Sequence, residues 1–170
     1  MVTVKILVAS DSHRGRSFLK WCIDRLQPDA VVHLGDYYED AEIISEEYPH
    51  IRFHMVAGNC DQGRAPFSAR ELLCYDVCGV RLFMTHGHNY KVKHTLHLLL
   101  ADARAAGAAA VLFGHTHSAL CTREEQMWVV NPGSCGSYSG TVALIEVEDK
   151  KISACAILTQ ADVESKSQQQ

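Results

Sequence analysis

Runs of β-branched and apolar residues that break off at a glycine or an acidic residue recur along this chain. Val2–Ala9 is the first, stopping at Ser10-Asp11. Its apolar character predicts a buried strand that delivers polar residues at its carboxyl end. Phe18–Leu26 has helical spacing and is followed by Pro28 as a stop. Ala30–Leu34 predicts a second strand, ending at Gly35-Asp36. Asp40–Tyr48 predicts a helix with Ile43 and Ile44 turned inward, and Ile51–Val56 a third strand ending at Gly58-Asn59. Strand-helix alternation of this kind implies a parallel sheet with helices packed on it.

Beyond a polar loop at 62–68 the pattern changes. Glu71–Val77 and Val80–Thr85 flank a turn at Cys78-Gly79 and predict a hairpin, the second arm ending at His86-Gly87-His88. Val92–Ala106 reads as an alanine-rich helix stopped by Gly107, and Ala109–Phe113 as a strand ending at Gly114-His115-Thr116-His117. Leu120–Glu124, Trp128–Val130, Thr141–Glu148 and Lys151–Leu158 predict short antiparallel strands. With no internal repeat or linker, residues 1–160 read as one α/β domain. Residues 161–170, rich in Ser, Gln and charge, read as a disordered polar tail.

Composition narrows the function classes. Of 170 residues, 47% are hydrophobic and 21% charged, as in an ordinary globular domain, and the net charge of -4 supplies no field for stable nucleic-acid binding. The opening apolar run is too short for a signal peptide, and no apolar stretch reaches the length that spans a bilayer. The seven cysteines lack CxxC spacing. These features read as a cytoplasmic protein without a membrane association, its cysteines mostly small buried apolar groups.

The chemistry lies at the strand ends. Asp11-Ser-His13, Gly35-Asp36, Gly58-Asn59-Cys60-Asp61, His86-Gly-His88 and Gly114-His115-Thr-His117 all follow predicted strands, the position where ligands bind in open α/β sheets. Carboxylate, amide and imidazole donors together suit Mn, Fe, Zn, Co or Ni better than Ca or Mg. The Gly-His-Thr-His segment, if extended, points both imidazoles to one side. His33, inside a strand, reads as a hydrogen-bonded core residue; His50, His54, His94 and His97 read as surface or strand-face residues. Asn131-Pro-Gly-Ser134 reads as a turn supporting the site, its Gly133 and Ser134 amides free to meet a phosphate oxygen. Arg14, Tyr37 and Tyr38 follow ligand positions and are candidates for the substrate mouth.

The order DxH, GD, GN, HGH, GHTH resembles the calcineurin-like metallophosphoesterase superfamily over roughly residues 4–136. The details GNCD, THGH, GHTH and NPGS are similar to its small YfcE-like phosphodiesterase branch. That resemblance implies a four-layer αββα sandwich of two mixed sheets, holding two divalent metal ions, with Mn first among the candidates and Ni, Co, Fe or Zn after it. Asp11, His13 and His117 would hold the first ion, Asn59, His86 and His115 the second, and Asp36 would bridge them. A metal-bridging hydroxide would attack the phosphorus of a small phosphate ester in line, with Asp36, Asn59 and His86 nearest the chemistry.

Many superfamily members carry His where this chain has Cys60. Cys60 and His88 are the candidates for proton supply, although a thiol is a poor acid for the leaving group. The competing reading is an interaction scaffold similar to the retromer subunit of this fold. Exposed sheet edges are compatible with a homodimer.

Overall fold

A computed structural model describes residues 2–168. Ten strands form two five-stranded sheets. The first contains β1 (Val4–Ala9), β2 (Ala30–His33), β3 (Arg52–Met55), β9 (Val142–Glu148) and β10 (Lys151–Leu158), in the order β10-β9-β1-β2-β3. The second contains β4 (Leu72–Val77), β5 (Val80–Thr85), β6 (Ala110–Leu112), β7 (Leu120–Glu124) and β8 (Met127–Asn131), in the order β4-β5-β6-β8-β7. Each sheet has three parallel strands, β1-β2-β3 and β5-β6-β8, extended by antiparallel neighbours.

The period-two alternation of side chains along a strand builds three apolar layers. Ile6 and Val8 of β1 and Leu82 and Met84 of β5 face inward, packing the sheets against each other with Val32, Leu112 and Val130. Leu7 and Ala9 face outward onto α1 (Ser17–Leu26), where Phe18, Leu19, Cys22 and Ile23 cover them. Phe83, Val111 and Val129 form the opposite outer face, covered by Leu99, Leu100 and Ala103 of α3 (His97–Ala105). The αββα sandwich is the architecture expected from the sequence.

Two local expectations are corrected. The helix read over 92–106 begins only at His97. The chain before it forms a 3-10 turn at His88–Tyr90, and Lys91 then adopts φ +53°, which no α-helix accommodates. The region read as a disordered tail forms α4 (Gln160–Ser167), which follows α1 and α2 (Tyr38–Glu47) on the first sheet's side of the molecule. Its start is a capping box: the Asp162 carboxylate accepts from the Thr159 amide at 2.8 Å, and the Thr159 hydroxyl oxygen accepts from the Asp162 amide at 3.4 Å. Val163, fully buried against the first sheet's outer layer, anchors it. Gln169 and Gln170, also part of the expected tail, lie outside the described residues.

Candidate metal centre

All six parallel strands end at one place, three from each sheet. The loops after β1, β2, β3, β5 and β6 carry Asp11 and His13, Asp36, Asn59, His86 and His88, and His115 and His117 respectively. Seven non-glycine residues there adopt the left-handed conformation: Asp11, His13, Arg14, Asp36, Tyr37, His115 and His117. Each costs on the order of 1–2 kcal/mol, so the surrounding packing holds the chain where it turns these side chains toward one another. The Gly-His-Thr-His segment is therefore not extended, and the condition for both imidazoles to point to one side is not met. Its two imidazoles separate because the backbone coils: His115 stacks edge-on to His86 at 5.1 Å between centroids, whereas His117 Nε2 lies 3.0 Å from Asp11 Oδ1.

Two donor groups result, Asp11–His13–His117 and Asp11–Asp36–His86. In the first, His13 Nε2 is 3.4 Å from His117 Nε2 and 3.8 Å from Asp11 Oδ1. In the second, His86 Nδ1 donates to the Leu34 carbonyl at 2.7 Å, which aims Nε2 into the site, 3.1 Å from Asn59 Oδ1 and 3.4 Å from Asp36 Oδ1. Asn59 and His115 thus lie beside His86, although Asp11 also belongs to this second group, a sharing the sequence reading did not include.

These residues fit divalent cations on physical grounds. Asp11 Oδ1 is buried and lacks a hydrogen-bond partner among the described residues, a costly state for a carboxylate oxygen. It faces the Nε2 atoms of His117, His13 and His86 at 3.0, 3.8 and 4.0 Å. Its sister oxygen is satisfied by the Ser10 hydroxyl at 2.6 Å and the His115 amide at 3.1 Å. Around His86 Nε2 the neighbours are oxygen acceptors, an arrangement that needs a proton or a cation at its centre. Burial alone would lower the His86 pKa, but Asp36 and Asp11 more than offset it and raise it. Burial would raise that of Asp36, and His86 with the Cys60 amide instead holds its carboxyl well below the usual range. A bound cation would replace that proton.

Several supports were not evident from sequence. Buried Asp61 accepts from the Gly58 amide at 2.7 Å and the Tyr38 amide at 2.8 Å, tying the loops after β2 and β3 together. Asp40, also buried, accepts from the Ser12 hydroxyl at 2.7 Å and the Arg14 amide at 2.8 Å. Asn131, at the end of β8, donates to the Gly114 carbonyl at 3.1 Å and the Thr116 hydroxyl at 2.9 Å, and Ser134 donates to the Asp11 carbonyl at 2.8 Å. The 131–134 turn is thus a clamp on two ligand loops. Its Gly133 amide donates to Asn131 Oδ1 at 2.9 Å, so it does not face the site as expected. Gly58 and Gly114 are needed for close approach: a Cβ at either would overlap the Asp36 or the Asp11 carboxylate.

The proton-supply candidates differ. Cys60 contributes its amide, which donates to Asp36 Oδ1 at 2.9 Å, while burial and the neighbouring carboxylates raise its thiol pKa. His88 is half-buried, neither ring nitrogen has a hydrogen-bond partner among the described residues, and its ring lies 5.5 Å from His86. His33 is the core residue expected, its Nε2 3.2 Å from the Ser12 hydroxyl. His50, His94 and His97 are exposed, and His54 is a buried strand residue paired with Tyr75. Among the described residues, no helix is long and apolar enough to cross a membrane.

Known proteins resemble the chain in sequence and in fold. The chain is 23% identical over 167 residues to the phosphodiesterase MJ0936 of Methanocaldococcus jannaschii, covering 87% of this chain and 96% of that one. Among solved structures, a predicted phosphoesterase of Streptococcus pneumoniae TIGR4 superposes with a TM-score of 0.74 at 25% identity, covering 95% and 92% of the two chains. Vps29 of Entamoeba histolytica, solved in complex with zinc, shares the fold with a TM-score of 0.70 at 19% identity, covering 91% and 97%. Residues 4–150 match the calcineurin-like phosphoesterase superfamily domain, and the chain belongs to that superfamily.

Proposed function

We propose that this protein is a binuclear metal-dependent phosphodiesterase that hydrolyses small phosphate esters, with activity on monoesters as well. The observation that carries the reading is the buried Asp11 Oδ1, without a hydrogen-bond partner among the described residues and faced by imidazole nitrogens on two sides. Asp11, His13 and His117 would hold one ion and Asn59, His86 and His115 the other. Asp36 would bridge them, since its Oδ1 faces His86 at 3.4 Å and its Oδ2 faces His13 at 3.9 Å. Such ions supply a water of lowered pKa and neutralise charge building on the phosphoryl oxygens. The chain's own part is to hold these donors in place. The Leu34 carbonyl sets the His86 tautomer, Asp61 and Asp40 fix the loops, and His88 stands beside the site as the group able to donate a proton to the departing oxygen.

Mixed nitrogen and oxygen donors suit manganese, nickel, cobalt, iron or zinc, and the family resemblance puts manganese first among them. Similarity to a named phosphodiesterase supports the diester preference. The test is metal analysis of the purified protein, followed by assay of aryl phosphomonoesters and phosphodiesters with Mn, Ni, Co, Zn and Mg. Two ions per chain and metal-dependent turnover are expected. Absence of both bound metal and hydrolysis would leave the fold as a scaffold.

A further inference from the structure

Tyr37 follows Asp36 directly, and both residues are left-handed, at φ +68° and +56°. The Tyr38 amide, bound to Asp61 Oδ1 at 2.8 Å, and the Tyr37 carbonyl, which accepts from the Asp40 amide at 2.9 Å, hold this turn. The phenol ring is thereby set edge-on to the His13 imidazole, 5.2 Å between centroids. Two guanidinium groups, of Arg14 and Arg64, each lie 5.6 Å from the centre of that same ring. Arg14 comes from the loop after β1 and Arg64 from the loop after β3, so two separate segments bring positive charge to one aromatic side chain.

The charge is not neutralised there. Among the described residues, Arg16, Arg81 and Arg104 each have a carboxylate within 3.5 Å, whereas Arg14 and Arg64, like Arg25, Arg52, Arg70 and Arg123, have none within salt-bridge distance; only Arg14 and Arg64 share one aromatic ring. Asp40 binds the Arg14 amide, but its charge is shared with the Arg16 guanidinium at 3.5 Å. Stability does not account for the arrangement. An exposed cation–π contact yields about 0.5–1 kcal/mol, and ordering an arginine side chain costs about 2 kcal/mol. Two like charges gathered beside one ring also repel. A guanidinium is, however, matched to phosphate, which it binds through paired N–H donors.

We propose that Arg14, Tyr37 and Arg64 form a second anion subsite at the mouth of the metal centre, which binds a further phosphate group of the substrate beyond the one hydrolysed. This rests on the phosphoesterase reading and sharpens it: the favoured substrates are small phosphate esters with a second phosphate group, such as nucleotides phosphorylated at two positions, over esters whose only anion is the scissile group.

The test is calorimetric titration of the manganese-loaded protein with thymidine 3′,5′-bisphosphate and with thymidine 5′-monophosphate. The bisphosphate should bind at least about tenfold more tightly. That ratio should fall to about two or less in Arg14→Ala/Arg64→Ala, and Arg64→Gln alone should lower it. Thermal melting checks that each variant is folded, and the ratio in Arg64→Gln decides the matter if the double variant is not. Equal wild-type affinities, or a ratio that survives in a folded double variant, overturn the subsite. Hydrolysis of bis(p-nitrophenyl) phosphate, which lacks a second anion, reads the catalytic proposal separately. Its absence with an intact affinity ratio would defeat catalysis and keep the subsite.

Discussion

Asp36 offers one carboxylate oxygen to each half of the site, Oδ1 at 3.4 Å from His86 Nε2 and Oδ2 at 3.9 Å from His13 Nε2. An amide of the same shape keeps one oxygen and loses the charge. Asp36→Asn is therefore expected to lower turnover by about 100-fold or more and to reduce bound metal. His88→Ala, which removes no proposed ligand, should cost about 100-fold with metal content retained. Metal analysis beside steady-state kinetics separates the two. Wild-type turnover in Asp36→Asn would sink the bridging assignment.

Cys60 lies beside Asp36, and its amide donates to that carboxylate at 2.9 Å. Its thiol pKa is raised by burial and by Asp36, so it releases a proton reluctantly. Cys60→His should raise turnover more for esters with high-pKa alkoxide leaving groups than for aryl esters, by about tenfold or more. A leaving-group series measures this as a flatter dependence of rate on leaving-group pKa. Equal gains across the series would show that the new imidazole acts elsewhere.

Asn131 touches no proposed ligand side chain but bonds the backbone and hydroxyl of the Gly114–His117 loop. Truncation in Asn131→Ala leaves the Gly133 amide, the Gly114 carbonyl and the Thr116 hydroxyl without these partners. Such losses cost about 1–3 kcal/mol. Denaturant unfolding should show that destabilisation, and titration with Mn should show weaker binding as His115 and His117 lose their fixed placement. Unchanged metal affinity would mean that the loop is held by its own turn.

His33 couples the core to pH. Burial lowers its pKa to about 4 from an ordinary 6.5, so the folded protein keeps it neutral where the unfolded chain is protonated. The unfolded state then binds more protons between these values. Stability from this residue is present above about pH 6.5 and is lost as pH falls toward 4, on the order of 2–3 kcal/mol. Urea unfolding of the metal-free protein at pH 7 and pH 5 should show the loss, and a folded His33→Gln should show a smaller one. Identical pH slopes would assign the effect to the carboxylates instead.

Much of this was legible in the chain. Strand ends could be read because apolar runs such as Ala30–Leu34 stop abruptly at glycine and a polar donor, and such stops recur in one topological position. What escaped depended on contacts remote in sequence or on backbone sign. The left-handed turns at His115 and His117 leave no mark in a residue pattern. The roles of Asp40 and Asp61 exist only after β1, β2 and β3 are side by side. Helix α4 has one buried apolar anchor, Val163, too little for a periodicity, although Thr159 and Asp162 at capping-box spacing were a usable signal.

None of the proposed metal ligands belongs to the three apolar clusters that bind the layers together. Shape and reaction are therefore inherited through different residues. A lineage can exchange an imidazole at a strand end and still produce a folded sandwich, free to acquire another use. Conversely, substitutions deep between the sheets can be tolerated for long periods while the donors stay in place. In this architecture, likeness of form carries little information about descent of chemistry, which must be traced through the side chains at one rim.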